Sequence, residues 1–474
     1  MQNPAAPNPR DATSFAPLYK SMDRGILTIP VKVVRISDMK IELISPAVGE
    51  NARLPNLALP ILASLTPPDV EISYTDDLLT PIDPGRGLKE VDLVGITVMS
   101  KTALRAYRIS GAYQKKGIPV VLGGIHPTAL PEEAGQHADS VVIGEAEEIW
   151  PRLVDDARMK RLKPLYTAQG FADPSKIPRP RREILPRKGY FPVDVVQVSR
   201  GCPFHCEFCS VRKFFGETYR VRPIAQVIDE IKTLRHRLIV FNDDNIFGHP
   251  SYSRELLKAL IPLRRRWVGQ ISLSALKEVN HVELMARSGC KGLLIGFESL
   301  SKDTLTRSRK FQNDPREYGE IIDRLHRSGI AIWGAFIFGF DEDDPSVFET
   351  TVAFAIRSKL FSAAFAILTP YPETPLYHRI KAEGRLVEDP WWLLERPEES
   401  APHFLPVRMS REALREGWRK AWKVFYSYPS MLKRFHWNYP STLTNRLIYF
   451  PFQWMQYRFT RKKIMEGRQR FRAK

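Results

Sequence analysis

The stretch "SRGCPFHCEFCSV", Ser199–Val211, contains three of the four cysteines in a chain of 474 residues. Cys202, Cys206 and Cys209 have the spacing Cys-x3-Cys-x2-Cys. A disulfide scaffold is excluded, because four cysteines are too few to staple a chain of this length. Thiolates this close in sequence can converge on one iron–sulfur cluster. Three thiolates leave one iron of a four-iron cluster open, and an open metal position is where a substrate or cofactor can bind.

The fourth cysteine, Cys290 in "ARSGCKGLLIGFES", lies far along the chain at the entrance of a strand pattern. We expect it to be a small core residue. A structural zinc site normally needs four ligands. His205 lies within the loop, but no second Cys-x-x-Cys or His pair follows, so zinc is the weaker interpretation.

The composition is that of a folded protein in a reducing compartment. Residues 1–20 lack the apolar core of a secretory signal. No uncharged apolar run reaches the roughly 18 residues that a membrane span requires. Clustered thiols in a cytoplasmic protein usually bind metal or carry out redox chemistry. We therefore expect a cytoplasmic location.

Residues 39–160 alternate between strand and helix patterns, beginning with the buried strand pattern "KIELISPA". Continuous apolar strands such as "VDLVGITVMS", separated by helices, predict an α/β domain with a parallel, doubly wound sheet. Ligands bind such sheets beyond the carboxyl ends of the strands. The candidate ligand contacts at those ends are Thr97, Ser100, Gly123, Gly124, His126, Gly144 and Glu145.

A second alternating series occupies residues 191–390, after a predicted surface linker at 161–190; residues 1–38 are predicted to be an irregular extension. Its six strand patterns are "VDVVQVS", "RLIVFNDDNI", "QISLSAL", "KGLLIGFES", "IAIWGAFIFGF" and "AAFAILTPYP". Six such units predict a partial (β/α)6 barrel, with its chemistry at the carboxyl ends of the strands. The cysteine triplet follows the first strand directly and therefore belongs to that end.

On these features, residues 190–390 resemble the radical S-adenosylmethionine (SAM) superfamily. "CPFHCEFC" has the cysteine spacing of that superfamily, with an aromatic residue just before the last cysteine. The resemblance implies a 4Fe–4S cluster held by Cys202, Cys206 and Cys209, whose open iron takes the amino and carboxylate groups of SAM. In the superfamily, reduction of the cluster cleaves SAM to a radical that abstracts a hydrogen atom. An electron donor such as flavodoxin or ferredoxin is thereby implied as a partner.

Other positions resemble the SAM contacts of the superfamily. Phe208 would lie near the adenine. Asn242, Asp243 and Asp244 end the second strand, and Ser272 and Ser274 end the third. Glu298 in "GFES" ends the fourth and could accept ribose hydroxyl protons. The structural alternatives are that Asp243 caps the following turn and that Glu298 is a helix N-terminal carboxylate. "TPYPETPLY" resembles a sixth-strand motif that often has glycine at the position of Glu373, so the local turn can differ here.

Residues 39–160 resemble the cobalamin-binding domain that precedes the barrel in one large branch of the superfamily. "VDLVGITVMS", "VVLGGIHPT" and "VVIGEAEEIW" carry this resemblance, which implies that the seven candidate contacts above adjoin the corrin. The Asp-x-His-x-x-Gly motif that supplies an axial histidine in other cobalamin proteins is absent. His126 is the only nearby histidine in a suitable loop, and many members of the branch are thought to bind the corrin without such a ligand. A domain that keeps the fold and has lost cobalamin is the alternative.

Residues 391–474 are predicted to form an α-helical, basic and aromatic region. Residues 401–474 contain 17 Lys and Arg against 3 Glu, which is +14 of the net charge of +18. Surfaces that mix aromatic rings and cations bind single-stranded nucleic acid or lie on anionic membranes. The apolar run "LIYFPFQWM" favours the membrane, so a peripheral position on its inner face is expected and nucleic acid is disfavoured. A helix packed on the barrel, with a frayed basic end, is the structural alternative.

These features predict a radical SAM methyltransferase that uses methylcobalamin and methylates an unactivated carbon of a hydrophobic substrate, with a hopanoid lipid preferred. A methylase or oxidative cyclase acting on a porphyrin or chlorin is the alternative. A tRNA methylthiotransferase is disfavoured, because such enzymes hold a second cluster on N-terminal cysteines and no cysteine precedes Cys202. A non-enzymatic adaptor is disfavoured by the intact triplet.

Overall fold

The computed structural model describes residues 39–48, 53–395, 401–435 and 449–461. Its strands are β1 Lys40–Ser45, β2 Glu71–Asp76, β3 Leu93–Thr97, β4 Val120–Gly123, β5 Ser140–Ile143, β6 Leu165–Thr167, β7 Asp194–Val196, β8 Ser199–Arg200, β9 Arg220–Val221, β10 Leu238–Phe241, β11 Arg266–Ile271, β12 Cys290–Glu298, β13 Ala331–Phe338 and β14 Ser362–Ile367. Its α-helices are α1 Ala58–Leu65, α2 Ala103–Gln114, α3 Ile125–Ala129, α4 Pro131–Gly135, α5 Trp150–Arg158, α6 Val211–Phe215, α7 Ile224–Thr233, α8 Pro250–Leu260, α9 Val279–Arg287, α10 Lys302–Arg307, α11 Tyr318–Arg327, α12 Ser346–Arg357, α13 Pro375–Ala382, α14 Arg411–Phe425 and α15 Tyr428–Arg434. Residues 449–461 are also helical.

The N-terminal sheet has the order β2-β1-β3-β4-β5-β6, and every neighbouring pair is parallel. Its central strands β3, β4 and β5 are mainly apolar, as expected for strands with helices on both faces. Side chains of α1 and α5 fill the core on one face, and side chains of α2 fill the core on the other. The predicted doubly wound domain is confirmed. Its sixth strand, β6, comes from the segment predicted to be a linker.

The second sheet has the order β14-β13-β12-β11-β10-β7, again with all neighbours parallel. Its strands are adjacent in the same order as in the sequence, which is the arrangement of right-handed β/α units forming an open barrel. The six predicted strands are all present. The core between this sheet and its helices is large and almost wholly aliphatic and aromatic.

The C-terminal helices cover the edge of the barrel at β14. Trp418 and Trp422 on α14 both donate their indole N–H to the carbonyl of Phe365, at 2.7 and 2.9 Å. Tyr426 donates its hydroxyl to the carbonyl of Ala363, at 2.8 Å. An uncovered edge strand would expose such carbonyls and invite pairing with another chain. In the part of the chain that the structure describes, no helix has the length and apolarity needed to cross a membrane.

Candidate functional site

The three clustered cysteines lie on the loop from β8 to α6, beyond the carboxyl end of β7, and β8 pairs with β9 after α6. The loop begins at Gly201, whose φ of 89° and closeness to the carbonyl of Thr218 leave no room for a side chain. The middle of the loop is attached to the barrel on two sides. Glu207 donates its backbone N–H to Ser308, at 3.0 Å, and accepts one from Leu376, at 3.2 Å. The loop is therefore held in place by backbone contacts.

The three thiols are partly exposed on this loop, whereas Cys290 is buried at the opposite, amino end of its strand β12. Burial raises the pKa of Cys202 and Cys206, and raises that of Cys209 to about 12. Repulsion from the neighbouring thiolates raises the pKa of Cys202 and Cys209 further. Three thiolates can therefore coexist here only beside strong positive charge, which a metal cluster supplies.

The arrangement of the thiols fits a cluster better than a single ion. In the described residues, no group of three or more His, Cys, Asp or Glu side chains converges as ligands of one metal ion. A four-iron cluster does not require such convergence, because each thiolate binds a different iron. The donor set of three thiols on one partly open loop therefore fits the predicted cluster.

Glu298 ends β12 beside the cysteine loop and is held in a specific conformation. Its φ is 63°, in the left-handed region that costs a non-glycine residue about 1 kcal/mol or more. Its carboxylate folds back over Gly296, where any side chain would collide with it. The ammonium of Lys310 lies 2.9 Å away. Although burial opposes its ionisation, the charges of Glu298 and Cys206 raise the pKa of Lys310. A half-buried cation thus pairs with the predicted SAM-binding carboxylate, and its charge lowers the pKa of the predicted cluster ligands Cys202 and Cys206.

The buried Asp243 binds the backbone before the cysteine loop, whereas the prediction was a contact with SAM. Its carboxylate accepts the backbone N–H of Val198, at 3.1 Å, and the N–H and hydroxyl of Ser199, at 2.5 and 2.6 Å. It therefore fixes the entry to the cysteine loop. The next residue, Asp244, is only partly buried, and its charge raises the pKa of Cys202 and Cys209. Asp244 is thus the carboxylate after β10 whose charge acts on the thiols.

The other two predicted SAM contacts lie at the same end of the barrel. The hydroxyls of Ser274 and Ser272 are 2.9 Å apart, just after β11. Asn245 donates to Ser272, at 3.3 Å. The ring of Phe208 packs edge-on against Phe340, with ring centres 5.9 Å apart. The structure thus brings polar groups from the ends of β11 and β12 to the mouth that holds the cysteines.

Several of the predicted corrin contacts share the carboxyl edge of the N-terminal sheet. Thr97 ends β3, Gly123 ends β4 and Gly144 follows β5. Gly124 has a φ of 104° and lies so close to Val98 that a side chain would collide with its backbone. This edge is therefore shaped by glycine where the backbone turns, as close approach to a flat ligand requires.

His126 lies inside the domain and is fully buried. Its Nδ1 is 3.2 Å from the hydroxyl of Ser100, and its Nε2 is 3.0 Å from both Tyr107 and Glu133. Trp392, from the segment after the barrel, donates its indole N–H to Glu133, at 2.9 Å. Both ring nitrogens are thus engaged by protein groups, which is the geometry of a structural histidine and not of an axial ligand.

Glu145 faces the barrel and not the sheet edge. Its carboxylate accepts from Arg200, at 3.0 Å, and from Arg220, at 2.8 and 2.9 Å. Arg200 also pairs with Glu147, at 2.5 Å. Although burial opposes ionisation, the two arginines hold the pKa of Glu145 below its usual value. Because Arg200 lies two residues before Cys202, this pair connects the N-terminal domain directly to the cysteine loop.

One cavity lies between the two predicted cofactor sites. The N-terminal domain contributes Met99, Ser100 and Lys101 to its wall, together with residues of α3. The segment just after the cysteines contributes Ser210, Lys213 and Phe214, and the loop after β14 contributes Tyr371 and Pro372. The residue that follows the last cysteine and the turn after β3 therefore border the same cavity.

Glu373, the unusual residue in the sixth-strand motif, has a backbone conformation typical of glycine. Glu373 has a φ of 63°, in the left-handed region, so the glycine-type turn is retained at the cost of strain. Its carboxylate lies 3.5 Å from Lys213 and 3.4 Å from His378. Lys213 and Lys310 were not predicted as site residues. In the sequence, each is only a basic residue shortly after a motif. Such residues are too common to indicate a site.

Three family descriptions match the chain. Residues 196–355 match the radical SAM superfamily, residues 69–154 match the B12 binding domain, and residues 374–461 match a domain of unknown function, DUF4070. The first match spans the cysteine loop and most of the barrel, and the second spans the carboxyl edge of the N-terminal sheet. The third covers α13 and the C-terminal helices.

Similar proteins span most of the chain. Bacteriochlorophyllide d C-12(1)-methyltransferase of Chlorobaculum tepidum is 32% identical over 388 residues, 80% of this chain and 84% of that protein. Hopanoid C-2 methylase of Rhodopseudomonas palustris is 25% identical and covers 70% of this chain and 63% of its own length. The structure of the radical SAM methyltransferase TsrM from Kitasatospora setae, with cobalamin and a [4Fe-4S] cluster bound, shares the fold, with a TM-score of 0.62 at 15% identity, over 91% of this chain and 99% of that one.

Proposed function

Because this chain belongs to the cobalamin-dependent radical SAM methyltransferases, we propose that it methylates an unactivated carbon of a hydrophobic polycyclic substrate. Its cofactors are a 4Fe–4S cluster, SAM and cobalamin. When bound, the cluster and SAM supply hydrogen-atom abstraction, and methylcobalamin supplies the methyl group. The residues that would hold them are the cysteine triplet, Ser274 and Glu298 at the barrel mouth, and the glycine-shaped edge of the N-terminal sheet.

The shared cavity is the observation that supports this function. Hydrogen abstraction and methyl delivery must act on the same carbon, so both cofactor sites have to open onto the space that holds the substrate. The wall of the cavity joins Ser100 and Lys101 of one domain to Ser210 and Lys213 beside the cysteines. In this arrangement Glu145 and Arg200 fix the distance between the two sites, because they pair across the boundary.

The proposed substrate is a large apolar ring system. Met99, Ile125, Phe214 and Tyr371 give the cavity an apolar lining that water solvates poorly. The relative named for a bacteriochlorophyllide substrate is 32% identical to this chain, against 25% for the relative named for a hopanoid. We therefore rank a chlorin-type tetrapyrrole first and the hopanoid, expected from sequence, second.

The test is an anaerobic assay with reconstituted protein, cobalamin, a chemical reductant and SAM carrying a deuterated methyl group. Chlorins and hopanoids are supplied separately, and products are analysed by mass spectrometry. Gain of one labelled methyl on a ring-system carbon supports the proposal. Cobalamin-independent SAM cleavage without methylation of any offered substrate contradicts it.

Cys206→Ala and Cys290→Ala form the matched pair for this assay. C206A should lose most of the about four irons per chain and all SAM cleavage. C290A should keep the iron, because Cys290 is buried at the far end of β12. Equal iron content in the two variants would contradict the assignment of the cluster ligands.

A further inference from the structure

Several large apolar side chains remain exposed on the C-terminal helices after these have packed on the barrel. On α15, Tyr428 is 53% exposed and Leu432 is 66% exposed. On the helical residues 449–461, Phe450, Trp454 and Met455 are 44%, 51% and 39% exposed. We call these five residues the C-terminal apolar face. Exposed aromatic and aliphatic side chains in one contiguous patch mark a surface that binds a partner.

The helices that carry this face are in direct contact. The rings of Tyr428 and Tyr457 are 4.8 Å apart, and those of Phe435 and Phe450 are 5.0 Å apart. The opposite side of residues 449–461 is already buried, since Gln453 donates to the carbonyl of Phe361, at 2.5 Å. Phe450, Trp454 and Arg458 recur at every fourth position, which places them on one side of the helix. The exposed face is therefore the outward side of a docked amphipathic helix.

Cations border this face and acidic residues are nearly absent. Lys433, Arg458 and Arg461 are exposed beside it. The guanidinium of Arg458 lies 4.9 Å above the ring of Trp454. In sequence, residues 424–474 contain 11 Lys and Arg and a single acidic residue, Glu466. A partner for this surface must therefore be both apolar and anionic.

We propose that the C-terminal apolar face lies on an anionic lipid surface. The rings of Tyr428 and Trp454 would lie at headgroup depth, and the aliphatic side chains would enter the acyl boundary. Arg458 and Arg461 would contact lipid phosphates. This inference rests on the C-terminal helices alone and is independent of the substrate of the proposed reaction.

Two other occupants fit the surface less well. Single-stranded nucleic acid needs flat rings for stacking, and Leu432 and Met455 offer none. A second copy of this chain would pair the same face with itself in a symmetric dimer. That arrangement would bring Arg458 and Arg461 towards their own copies, without acidic residues to neutralise them.

The test is flotation of the full chain with vesicles of phosphatidylcholine alone or mixed with phosphatidylglycerol. We expect at least about tenfold tighter binding to the anionic vesicles, since each cation near the surface contributes about 1 kcal/mol. The charge variant R458Q/R461Q should lose most of this preference. The apolar variant L432S/W454S should weaken binding to anionic vesicles by a similar factor.

The control is Val279→Ser, which removes an apolar side chain that is 50% exposed on the barrel helix α9. It should bind vesicles as the unchanged chain does. Because all substituted residues are exposed, circular dichroism should show unchanged folding. Equal binding to neutral and anionic vesicles would overturn the proposal. Binding to an oligonucleotide that the apolar variant abolishes, while its vesicle binding persists, would also overturn the proposal. A dimer in light scattering that the apolar variant abolishes, while its vesicle binding persists, would do the same.

Discussion

Single buried carboxylates hold the loops at the mouth of the barrel. Asp343 accepts the backbone N–H of Gly339, at 2.9 Å, and of Phe340, at 3.1 Å, and so closes the loop after β13. Asp243 has the same task beside the cysteine loop. Burial raises the pKa of both carboxyls to about 7. Each loop is thus fixed by a group that is costly to ionise where it lies.

The raised pKa of Asp343 predicts a loss of stability with rising pH. The folded state binds its proton more tightly than the unfolded state, whose pKa is near 4, so stability falls as the pH rises from about 4 to about 7. Asp343→Asn removes the titration and keeps an acceptor oxygen for Gly339. Between pH 5 and pH 8 the unchanged chain should lose about 2 kcal/mol more of its free energy of unfolding than D343N does. Urea unfolding at both pH values measures this, and a pH-independent difference would contradict it.

At the scale of elements, α14 approaches the barrel helix α12 through a glycine. A methyl group at Gly417 would overlap the ring of Phe348. Close approach of the two helices lets the tryptophans of α14 reach the carbonyl of Phe365 on the edge strand. The glycine therefore serves packing, although glycine is a weak helix former.

Glycine-to-alanine substitutions in two helices should have opposite effects. Gly417→Ala should lower the free energy of unfolding by about 2 kcal/mol, because the core cannot accept the methyl without displacing Phe348. Gly111→Ala on α2 meets no atom within 4 Å. It should raise the free energy of unfolding by about 0.5 kcal/mol through helix propensity alone. Thermal and urea unfolding of both variants check this, and equal effects would refute the packing explanation.

At the scale of the whole molecule, buried charge connects the two cofactor domains. Glu145 is 4% exposed and is surrounded by Arg200 and Arg220. A second connection runs from Trp392, after the barrel, to Glu133 in the N-terminal domain. These contacts determine how the edge of the N-terminal sheet faces the cysteine loop.

Removing the charge of Glu145 should destabilise the molecule strongly. Glu145→Gln removes the negative charge that pairs with two guanidinium groups. We expect the free energy of unfolding in urea to fall by about 3 kcal/mol. The control is Glu255→Gln, whose ion pair with Lys258 has both side chains more than 60% exposed. E255Q should change stability by less than about 0.5 kcal/mol. A loss for E145Q no greater than for E255Q would show that the connection is not stabilising.

The sequence by itself determined most strands of the two main sheets, the order of the two domains and the cysteine loop. These features depend on local pattern: apolar runs alternate with helices, and three thiols share one short loop. The tertiary structure alone decided which polar side chains meet. Glu145 pairs with Arg200 and does not lie at the predicted corrin edge, and His126 is buried against Glu133. Lys310 forms an ion pair with Glu298. β6 was also missed, because a three-residue strand in a proline-rich segment forms only where β5 offers it an edge. Such contacts depend on side-chain direction and domain packing, which local sequence patterns do not encode.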